Sequence, residues 1–359
     1  MSSITSPGSS KSQRAVQPTA RRLSIVIVNW NTSDLLKACL ASLVRAGVHE
    51  YAEVLVLDNA SSDGSAEMVR SEYGWVTLIA ARENLGFSRG NNAAIRHASG
   101  DCILLLNPDT EVDLGTIDAM LERADQHRDI GVVGVAQRSP GGAMQYEAAI
   151  AIPTVWNTFC DLALLSKIFP RSRLFARRTL GWWNHQTDRE VPAVAGSALL
   201  VRREVLRRIG LLDERMFCCE DIDLCLRARQ AGWRVFFVGS HSLLHHGGAS
   251  TKRSKNAGLQ RQIAFQSFWI FLRKHRGPAA GALLSLMVFC WSLAASYGTM
   301  VLLLLAGRNE ARRADALHYR ELVRGLRAWC RTDKLRFRHH LALPPDLEYR
   351  TPSLGGQPS

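Results

Sequence analysis

The sequence predicts an α/β protein with a mostly parallel, Rossmann-like sheet and helices on both faces. Over residues 23–137, short apolar runs alternate with segments of helical character. Strand–helix–strand units of this kind are right-handed and form parallel sheets. Polar side chains follow most of these runs, as expected where strands end at one edge of an open sheet. A long uncharged stretch near the C-terminus predicts a helical segment outside the sheet.

The individual elements follow from apolar runs and from their breaking residues. Pro108 ends the fourth strand because proline cannot continue a hydrogen-bonded ladder. Strands are predicted over Leu23–Asn29, Glu53–Asp58, Val76–Ala81, Cys102–Asn107, Gly131–Gln137, Ser197–Val201 and Arg234–Val238. Helices are predicted over Ser33–Ala46, Ser65–Ser71, Ser88–Ala98, Leu114–Gln126, Arg203–Ile209, Asp221–Ala231 and Gln260–Arg273.

Composition limits the partners and the compartment. The 359 residues carry a formal net charge of +13, which favours an anionic partner such as nucleic acid, an acidic membrane surface or a phosphorylated substrate. The eight cysteines have no metal-ligand or redox spacing, which is typical of reduced, cytosolic thiols. Residues 1–22 are rich in Ser and Arg without an apolar core, so we expect a disordered tail rather than a secretory signal.

The C-terminal region contains a membrane-helix candidate. Ala279–Ala306 runs without a charge. This stretch is longer than the roughly 20 apolar residues that suffice to span a bilayer. Basic residues flank it on both sides, so the positive-inside rule does not choose an orientation. A spanning helix, a monotopic or re-entrant segment, and a buried helix of a larger fold all fit this pattern. The basic tail that follows suits anionic headgroups.

Polar residues at four strand ends predict a ligand crevice in the first half. Asp58 can accept hydrogen bonds from a pyrimidine N–H or from ribose hydroxyls. Gly86 and Arg89 lie in a loop that opens a helix, where backbone N–H groups and a basic side chain favour an anion. That loop is neither a Walker A nor a dinucleotide-binding motif. The strand-end residues are Asn29, Asn31, Asp58, Asn59, Asn84, Asn107 and Asp109.

Acidic and histidine residues in the second half add candidate chemistry. Glu220, Asp221 and Asp223 open a predicted helix, where acids either interact with the helix dipole or supply a general base. His245 and His246 precede a Gly-Gly turn and are either structural or metal ligands. A mixed Asp and His set suits Mg²⁺ or Mn²⁺.

These motifs together resemble a family 2 glycosyltransferase, and in particular its bacterial rhamnosyltransferase-like subgroup. The resemblance covers residues 23–250. Its first half is carried by Val26–Asn31, Val56–Gly64, Asn84–Asn92 and Leu106–Val112. Its second half is carried by Ala195–Arg203, Leu212–Arg215, Glu220–Arg229 and His245–Ser250.

The resemblance implies a GT-A fold, a nucleotide-diphosphate sugar donor, a divalent metal (Mg²⁺ or Mn²⁺) and inversion at the anomeric carbon. Asp221 matches the catalytic base. Asp109 and one histidine, with His245 favoured over His246, match the metal ligands. The expected donor-binding residues are Asn29, Asn31, Asp58, Asn84, Gly86, Arg89, Asn91, Asn107 and Gly196.

Two positions depart from the family pattern. The DxD metal motif is replaced by Asn107, Pro108 and Asp109, so that only one carboxylate is available. Cys218 and Cys219 occupy the place of the aromatic residue that usually precedes the Glu-Asp pair.

The resemblance divides the chain into a donor-binding half, 23–137, and an acceptor-binding and catalytic half, 138–250. A helical segment, 251–306, contains the apolar stretch 279–306, and a basic helical and coil tail occupies 307–359. The aromatic and basic segment 138–189 is either an acceptor-binding insertion or irregular covering structure. We expect a lipid-linked or cell-envelope glycan acceptor, reached from the cytoplasmic face of the inner membrane, with rhamnose as a candidate sugar.

Two other functions use the same features. A polyprenyl-phosphate glycosyltransferase would transfer to a lipid phosphate, which needs no strong base. A non-catalytic nucleotide-sugar-binding membrane scaffold would keep the Asp58 crevice but tolerate loss of Asp221. Nucleic-acid binding rests on net charge alone and is not expected, because the basic excess flanks an apolar segment instead of alternating with exposed aromatics.

Overall fold

A computed structural model of the chain describes residues 23–176, 178–247 and 257–306, together with Arg320, Val323 and Arg324. The tail expected to be disordered, 1–22, lies outside the described residues. So do residues 248–250 of the histidine motif and, apart from those three residues, the predicted basic tail 307–359.

The strands and helices alternate as predicted through the first half of the chain. The strands are β1 Leu23–Asn29, β2 Ala52–Asp58, β3 Thr77–Ala80, β4 Cys102–Leu106, β5 Thr110–Val112, β6 Ile130–Arg138, β7 Ala149–Ile150, β8 Arg189–Glu190, β9 Ala193–Val194, β10 Ala198–Arg202 and β11 Arg234–His245. The helices are α1 Ser33–Arg45, α2 Ser65–Glu72, α3 Gly86–His97, α4 Thr116–Gln126, α5 Val155–Leu162, α6 Leu165–Ile168, α7 Arg203–Ile209, α8 Glu220–Gln230, α9 Ala257–Arg276 and α10 Pro278–Ala306.

One mixed sheet forms the centre of the molecule, which confirms the predicted α/β class. Its strands follow the order β3-β2-β1-β4-β10-β6-β11-β5, with β8 paired to β11. The first four strands are parallel, whereas β10 runs antiparallel to both β4 and β6. Ala198 pairs with Leu106, so the residues that precede β10 lie at the carboxyl end of β4. An apolar run carries no signal of strand direction, and this reversal was not predicted.

Apolar side chains fill both faces of the sheet. Along β1, Val26 packs into one hydrophobic cluster, while Ile25 and Ile27 pack into the other, because alternate side chains of a strand point to opposite faces. Helix α3 lies close to the sheet at Gly90, where a Cβ atom would come within 3.0 Å of Val28. Glycine there lets the helix that follows the donor loop pack tightly on β1.

Strand β11 is longer than predicted and continues to the histidine motif. The sequence suggested a strand ending at Val238 and a connection before His245. In the structure the strand passes an irregularity between Val238 and Ser242 and pairs antiparallel with β5 over its last residues. His245 lies opposite Thr110 in this ladder. The pairing places the histidine motif beside the residues that follow β4.

Helices α9 and α10 pack against each other and are joined at Gly277, which has a φ of +84°. Among the described residues, α10 is the one helix long and apolar enough to cross a membrane. Its qualifying window is Pro278–Ala295, of which 28% is buried inside the protein. Length and composition therefore allow a span, while part of the helix is committed to contacts with the domain.

A buried carboxylate joins α8 to α9. Asp223 is fully buried, and one of its oxygens lies 2.7 Å from both Lys274 and His275 of α9. Its other oxygen lies 2.7 Å from Arg227 of α8. Lys274 also contacts Asp213 at 2.8 Å. The helix that carries the predicted base is thus tied to the C-terminal helices by a compact ionic network.

This network lowers the pKa of its two carboxyl groups. Burial alone would raise the pKa of Asp223, but hydrogen bonds and charges from Lys274, Arg227 and His275 outweigh it and hold the pKa below its usual value. Asp213 is lowered in pKa in the same way, through Arg215 and Lys274. Because both folded-state pKa values lie below the unfolded values of about 3.9, the stabilisation is complete above that pH and is lost as the pH falls below it.

We predict that Asp223→Asn lowers the free energy of unfolding by about 3–5 kcal/mol, because it leaves Lys274 and Arg227 beside a buried neutral amide. Chemical denaturation at neutral pH measures the change. Glu204→Gln is the control, because it neutralises an exposed carboxylate on α7. The control should shift stability by at most about 0.5 kcal/mol, as is usual for surface substitutions. Unchanged stability of the Asp223 variant would show that the network does not hold α9.

Candidate active site

The carboxyl ends of β1 and β2 carry a buried polar pair. Asn29 and Asp58 are register partners, and the amide of Asn29 donates to Asp58 Oδ1 at 3.0 Å. The second carboxylate oxygen accepts from the backbone N–H of Ser61 at 3.0 Å. Each carboxylate oxygen keeps a further lone pair for a ligand. Asp58 therefore orders the loop that follows β2 while retaining acceptor capacity.

A second set of hydrogen bonds joins the loops after β1 and β2. Asn31 adopts a left-handed conformation with a φ of +51°, and its side-chain oxygen accepts from Ser62 N at 2.8 Å. Its own N–H donates to Ser61 Oγ at 3.0 Å. Asn tolerates this backbone region better than most residues. The two loops thus form one wall at the sheet edge.

The loop before α3 is shaped by its own asparagine. The Asn84 side chain accepts from Gly86 N at 2.8 Å. This local turn sets the start of the helix, where Gly86 has a positive φ. Arg89 is largely covered and lies 3.9 Å from Glu214. Asn91 is buried and donates to the carbonyl of Phe87 in its own helix. Asn91 thus contributes to the helix, whereas Asn84 and Gly86 form the turn at its start.

Asp221 is held at the start of α8 by a backbone donor from the loop that precedes β10. The N–H of Gly196 donates to Asp221 Oδ2 at 2.8 Å. A Cβ atom on Gly196 would meet Asp221 Cβ at 3.4 Å and the Phe87 ring at 3.5 Å. Helix α3, the loop before β10 and the first turn of α8 therefore converge at this carboxylate.

The same loop also contacts the end of β4. Asn107 N–H donates to the carbonyl of Ser197 at 2.9 Å, and the hydroxyl of Ser197 bonds to Gln137 on β6. Because β10 is antiparallel, its first residues meet the last residues of β4. This connection brings Asp221 and the segment Asn107–Asp109 to one edge of the sheet.

Asp109 forms a close pair with His245 and not with the side chain of His246. His245 Nε2 lies 3.3 Å from Asp109 Oδ1, whereas His246 Nε2 contacts Glu111 Oε1 at 3.0 Å. The backbone N–H of His246 donates to the carbonyl of Asp109 at 2.9 Å, which fixes the two strand segments side by side. Of the two histidines left open by the sequence, His245 is the one beside Asp109.

Gln145, which the sequence reasoning missed, clamps His245 from the other side. Its side-chain nitrogen donates to the backbone carbonyl of His245 at 2.7 Å, and its side-chain oxygen lies 2.8 Å from His245 Nδ1. The oxygen can only accept, so Nδ1 carries the proton in the neutral ring, and in that tautomer Nε2 keeps its lone pair. The two residues are 100 positions apart, and the segment around Gln145 has no periodic signal in the sequence.

The residues around His245 fit a divalent metal. Nε2 of His245 is buried without a hydrogen-bond partner among the described residues, and it lies beside the Asp109 carboxylate. A metal-binding histidine commonly donates its other ring N–H to an oxygen, as His245 does to Gln145. The described part of the chain contains no group of three or more His, Cys, Asp or Glu side chains placed to hold a metal. Two protein ligands would leave further coordination positions for substrate oxygens and water.

Neighbouring acids on α8 have different environments. Burial raises the pKa of Asp221, opposed by the backbone N–H groups of Gly196 and Ile222. Glu220 is buried, and its Oε2 has no partner in the described residues. Burial, reinforced by the charge of Asp221, raises the pKa of Glu220 well above its ordinary value. Asp221 is therefore the acid with both a fixed orientation and enhanced basicity.

The two cysteines that replace the usual aromatic residue are structural. Cys219 adopts a left-handed conformation with a φ of +70° and immediately precedes α8. Burial raises the pKa of both thiols, Cys218 and Cys219, which keeps them protonated and unreactive. The N–H groups of Phe217 and Cys218 donate to the Ser267 hydroxyl on α9. These hydrogen bonds attach the turn before α8 to helix α9.

Similarity to known proteins shows the family to which the chain belongs. Residues 24–210 match the family model for glycosyl transferase family 2. The chain belongs to this family. It is therefore a glycosyltransferase, and its rhamnosyltransferase relatives fit the subgroup expected from the motifs.

Two relatives and one solved structure are representative. The chain is 31% identical over 271 residues to an N-acetylglucosaminyl-diphospho-decaprenol L-rhamnosyltransferase of Mycobacterium tuberculosis, covering 71% of this chain and 85% of that protein. It is 25% identical over 232 residues to the rhamnosyltransferase WbbL of Escherichia coli, covering 62% and 82%. The mannosyltransferase PcManGT from Pyrobaculum calidifontis, solved with GDP-Man and Mn²⁺, aligns with a TM-score of 0.52 at 16% identity over 88% of this chain and 89% of that one. The last likeness concerns the fold.

We predict that Glu220→Gln is more stable than the wild type near pH 8 and that this gain disappears towards pH 4. A raised folded-state pKa means that the folded protein binds a proton that the unfolded chain releases above about pH 4.3, so wild-type stability falls as pH rises through that window. Denaturation midpoints at several pH values measure the difference. Glu204→Gln should show no such pH-dependent gain. A constant difference between the Glu220 variant and the wild type would contradict this interpretation.

Proposed function

We propose that the protein is an inverting, metal-dependent glycosyltransferase that moves a sugar, with rhamnose as the first candidate, from a nucleotide-diphosphate donor to a hydroxyl of a lipid-linked or cell-envelope glycan. The observation that carries this proposal is the convergence of Asp221 with the Asp109–His245 pair at one sheet edge, through the loop Gly196–Ser197. The decaprenol-linked substrate in the name of the mycobacterial relative supports a lipid-linked acceptor.

Each residue has a defined part in this reaction. Asp221, oriented by Gly196 N–H, accepts the proton of the acceptor hydroxyl as that oxygen attacks the anomeric carbon. The nucleoside diphosphate leaves from the opposite face. Asp109 and His245 would hold a divalent cation, which supplies positive charge to the departing diphosphate. Among the described residues, Asp109 is the one carboxylate paired with His245, so donor oxygens complete the coordination in this proposal.

The crevice at the ends of β1 to β3 would receive the nucleotide. Asp58, with its remaining lone pairs, accepts from the base or ribose, and Asn29 and Asn31 hold its loop in place. The turn at Asn84 and Gly86 presents a helix N-terminus, which favours the diphosphate. The placement of the enzyme at the cytoplasmic face of the inner membrane follows from the proposed donor and lipid-linked acceptor.

We predict that Asp221→Asn lowers the turnover number by roughly 10²–10⁴-fold while donor binding survives. The Asn side chain still offers an oxygen to Gly196 N–H, so the loop keeps its hydrogen bond. Because burial raises the pKa of Asp221, the acidic limb of the kcat/KM profile should lie above the ordinary aspartate value of about 3.9. Steady-state kinetics and nucleotide-sugar titration measure these effects. Near-full turnover would reject Asp221 as base and favour a phosphate acceptor.

We predict that His245→Ala abolishes detectable Mn²⁺ binding and that Gln145→Leu weakens it by roughly 10–100-fold, since the glutamine fixes the ring that would bind the ion. Calorimetric titration with Mn²⁺ in the presence of a nucleoside diphosphate measures affinity independently of turnover. His246→Ala and Gln186→Leu are the matched controls, because His246 contacts Glu111 and Gln186 is exposed. Equal affinities for the His245 and His246 variants would contradict the assignment.

A further inference from the structure

We infer that helix α10 and the segment α5–α6 together form a monotopic docking surface that binds an anionic lipid bilayer. We call this docking surface the apolar face. It is made of exposed apolar side chains on two neighbouring elements, with basic residues beside them. The inference deepens the proposed function, on which it rests, because a lipid-linked acceptor is reached from a membrane surface. The members are Trp156, Phe159, Leu164, Ile168, Phe169, Leu174, Leu283, Leu286, Phe289, Cys290, Leu293 and Tyr297.

Helix α10 has two different sides. Gly281, Leu284, Val288 and Ser292 recur at helical spacing and are buried against the protein. The opposite side exposes a stripe with alternating spacings of three and four residues, which runs from Leu283 to Tyr297 and includes Leu286 and Leu293 at 57% and 42% exposure. Helix α10 is apolar all round but is buried on one side. Its other side is therefore an apolar stripe without a partner among the described residues.

The segment α5–α6 packs beside α10 and exposes further apolar side chains. Trp156 and Phe159 are each more than two-fifths exposed, and Ile168 is 63% exposed. The indole N–H of Trp291 in α10 donates to the carbonyl of Leu162 at 2.8 Å, which joins the two elements directly. The apolar face therefore includes side chains from both α10 and the segment α5–α6.

Charge complementarity identifies the occupant as an anionic bilayer. Residues 155–176 contain three basic side chains and one acidic side chain, Asp161, which pairs with Arg178. All three, Lys167, Arg171 and Arg173, are exposed, and Arg173 lies over the ring of Trp182 at 4.7 Å. Aromatic and apolar residues mixed with Lys and Arg are typical of segments that lie in the headgroup region of anionic membranes. A second copy of the chain would meet like charges here.

The contacts of α10 favour a helix that lies along the membrane over one that crosses it. Trp291 is close to the midpoint of Pro278–Ala306, so in a helix that spanned the membrane over this whole length it would sit near the centre of the bilayer. Its partner Leu162 adjoins Asp161, which pairs with Arg178 at 2.7 Å with both side chains partly exposed. Charged side chains at the bilayer centre are costly. The described contacts of α10 are therefore compatible with the interface and not with the hydrocarbon centre.

Vesicle flotation of the full chain tests the apolar face. Vesicles of phosphatidylglycerol and phosphatidylcholine should bind the wild type, and binding should fall by about tenfold or more in Leu286→Glu/Leu293→Glu and in Ile168→Glu. Leu286→Met/Leu293→Met should keep binding, and Leu114→Glu, at an 80% exposed leucine on another part of the surface, is the matched control. Thermal melts confirm folding, which exposed substitutions should preserve. Wild-type binding by either glutamate variant would overturn the inference.

Two further measurements separate the alternatives. An alkaline phosphatase fusion after Ser359, expressed in a Gram-negative host, should be inactive, because a monotopic chain keeps both ends on one side of the membrane. An active fusion would mean that α10 crosses the membrane, which would overturn the inference. Sedimentation velocity should show no change of oligomeric state in Leu286→Glu/Leu293→Glu. Dissociation of an oligomer with unchanged vesicle binding would assign the stripe to a second copy instead.

Failure of the inference is distinguishable from failure of the proposed function. The vesicles contain neither sugar donor nor acceptor, so flotation reports the apolar face alone. Sugar transfer to a water-soluble acceptor analogue reports the chemistry alone. Normal flotation without transfer would reject the proposed reaction, and normal transfer without flotation would reject the docking surface.

Discussion

The site depends on the antiparallel pairing of β11 with β5. This ladder sets His245 opposite Thr110, and the adjacent backbone bond from His246 to Asp109 fixes the two segments side by side. A shift by one residue would turn His246 towards Asp109 and His245 away, because neighbouring side chains of a strand point to opposite faces. Strand register therefore decides which of the two adjacent histidines lies beside Asp109, the single carboxylate of this motif.

The three carboxylates within four residues of α8 differ in protonation and pairing because their surroundings differ. Glu220 is buried without a partner for Oε2 among the described residues, which favours its protonated form. Asp221 accepts a backbone hydrogen bond that orients it at the crevice. Asp223, on the far side of the turn, is paired with Arg227 and with two residues of α9. Helix-dipole arguments apply equally to all three and do not distinguish them.

Much of the fold was readable from local pattern, whereas parts of the site were not. The strands from Leu23 to Leu106 were predictable because buried parallel strands appear as short apolar runs with polar ends. The direction of β10 was not, since an apolar run has no polarity along the chain. The extension of β11 was missed because its irregularity after Val238 interrupts the alternation. Gln145 could not be found, because its value lies in a contact with His245 that only the tertiary fold creates.

The ionic network at Asp223 links the chemistry to the C-terminal helices. Asp221 and Asp223 belong to the same helical turn, and Asp223 is held by Lys274 and His275 at the end of α9. Helix α10 follows directly after Gly277 and carries the exposed stripe of the apolar face. Any displacement of α9 would expose a buried carboxylate or move the first turn of α8, and both are costly. The position of the proposed base is consequently fixed relative to the surface proposed to face the membrane. The hydroxyl of a lipid-linked acceptor would therefore meet the base at a fixed distance from the bilayer.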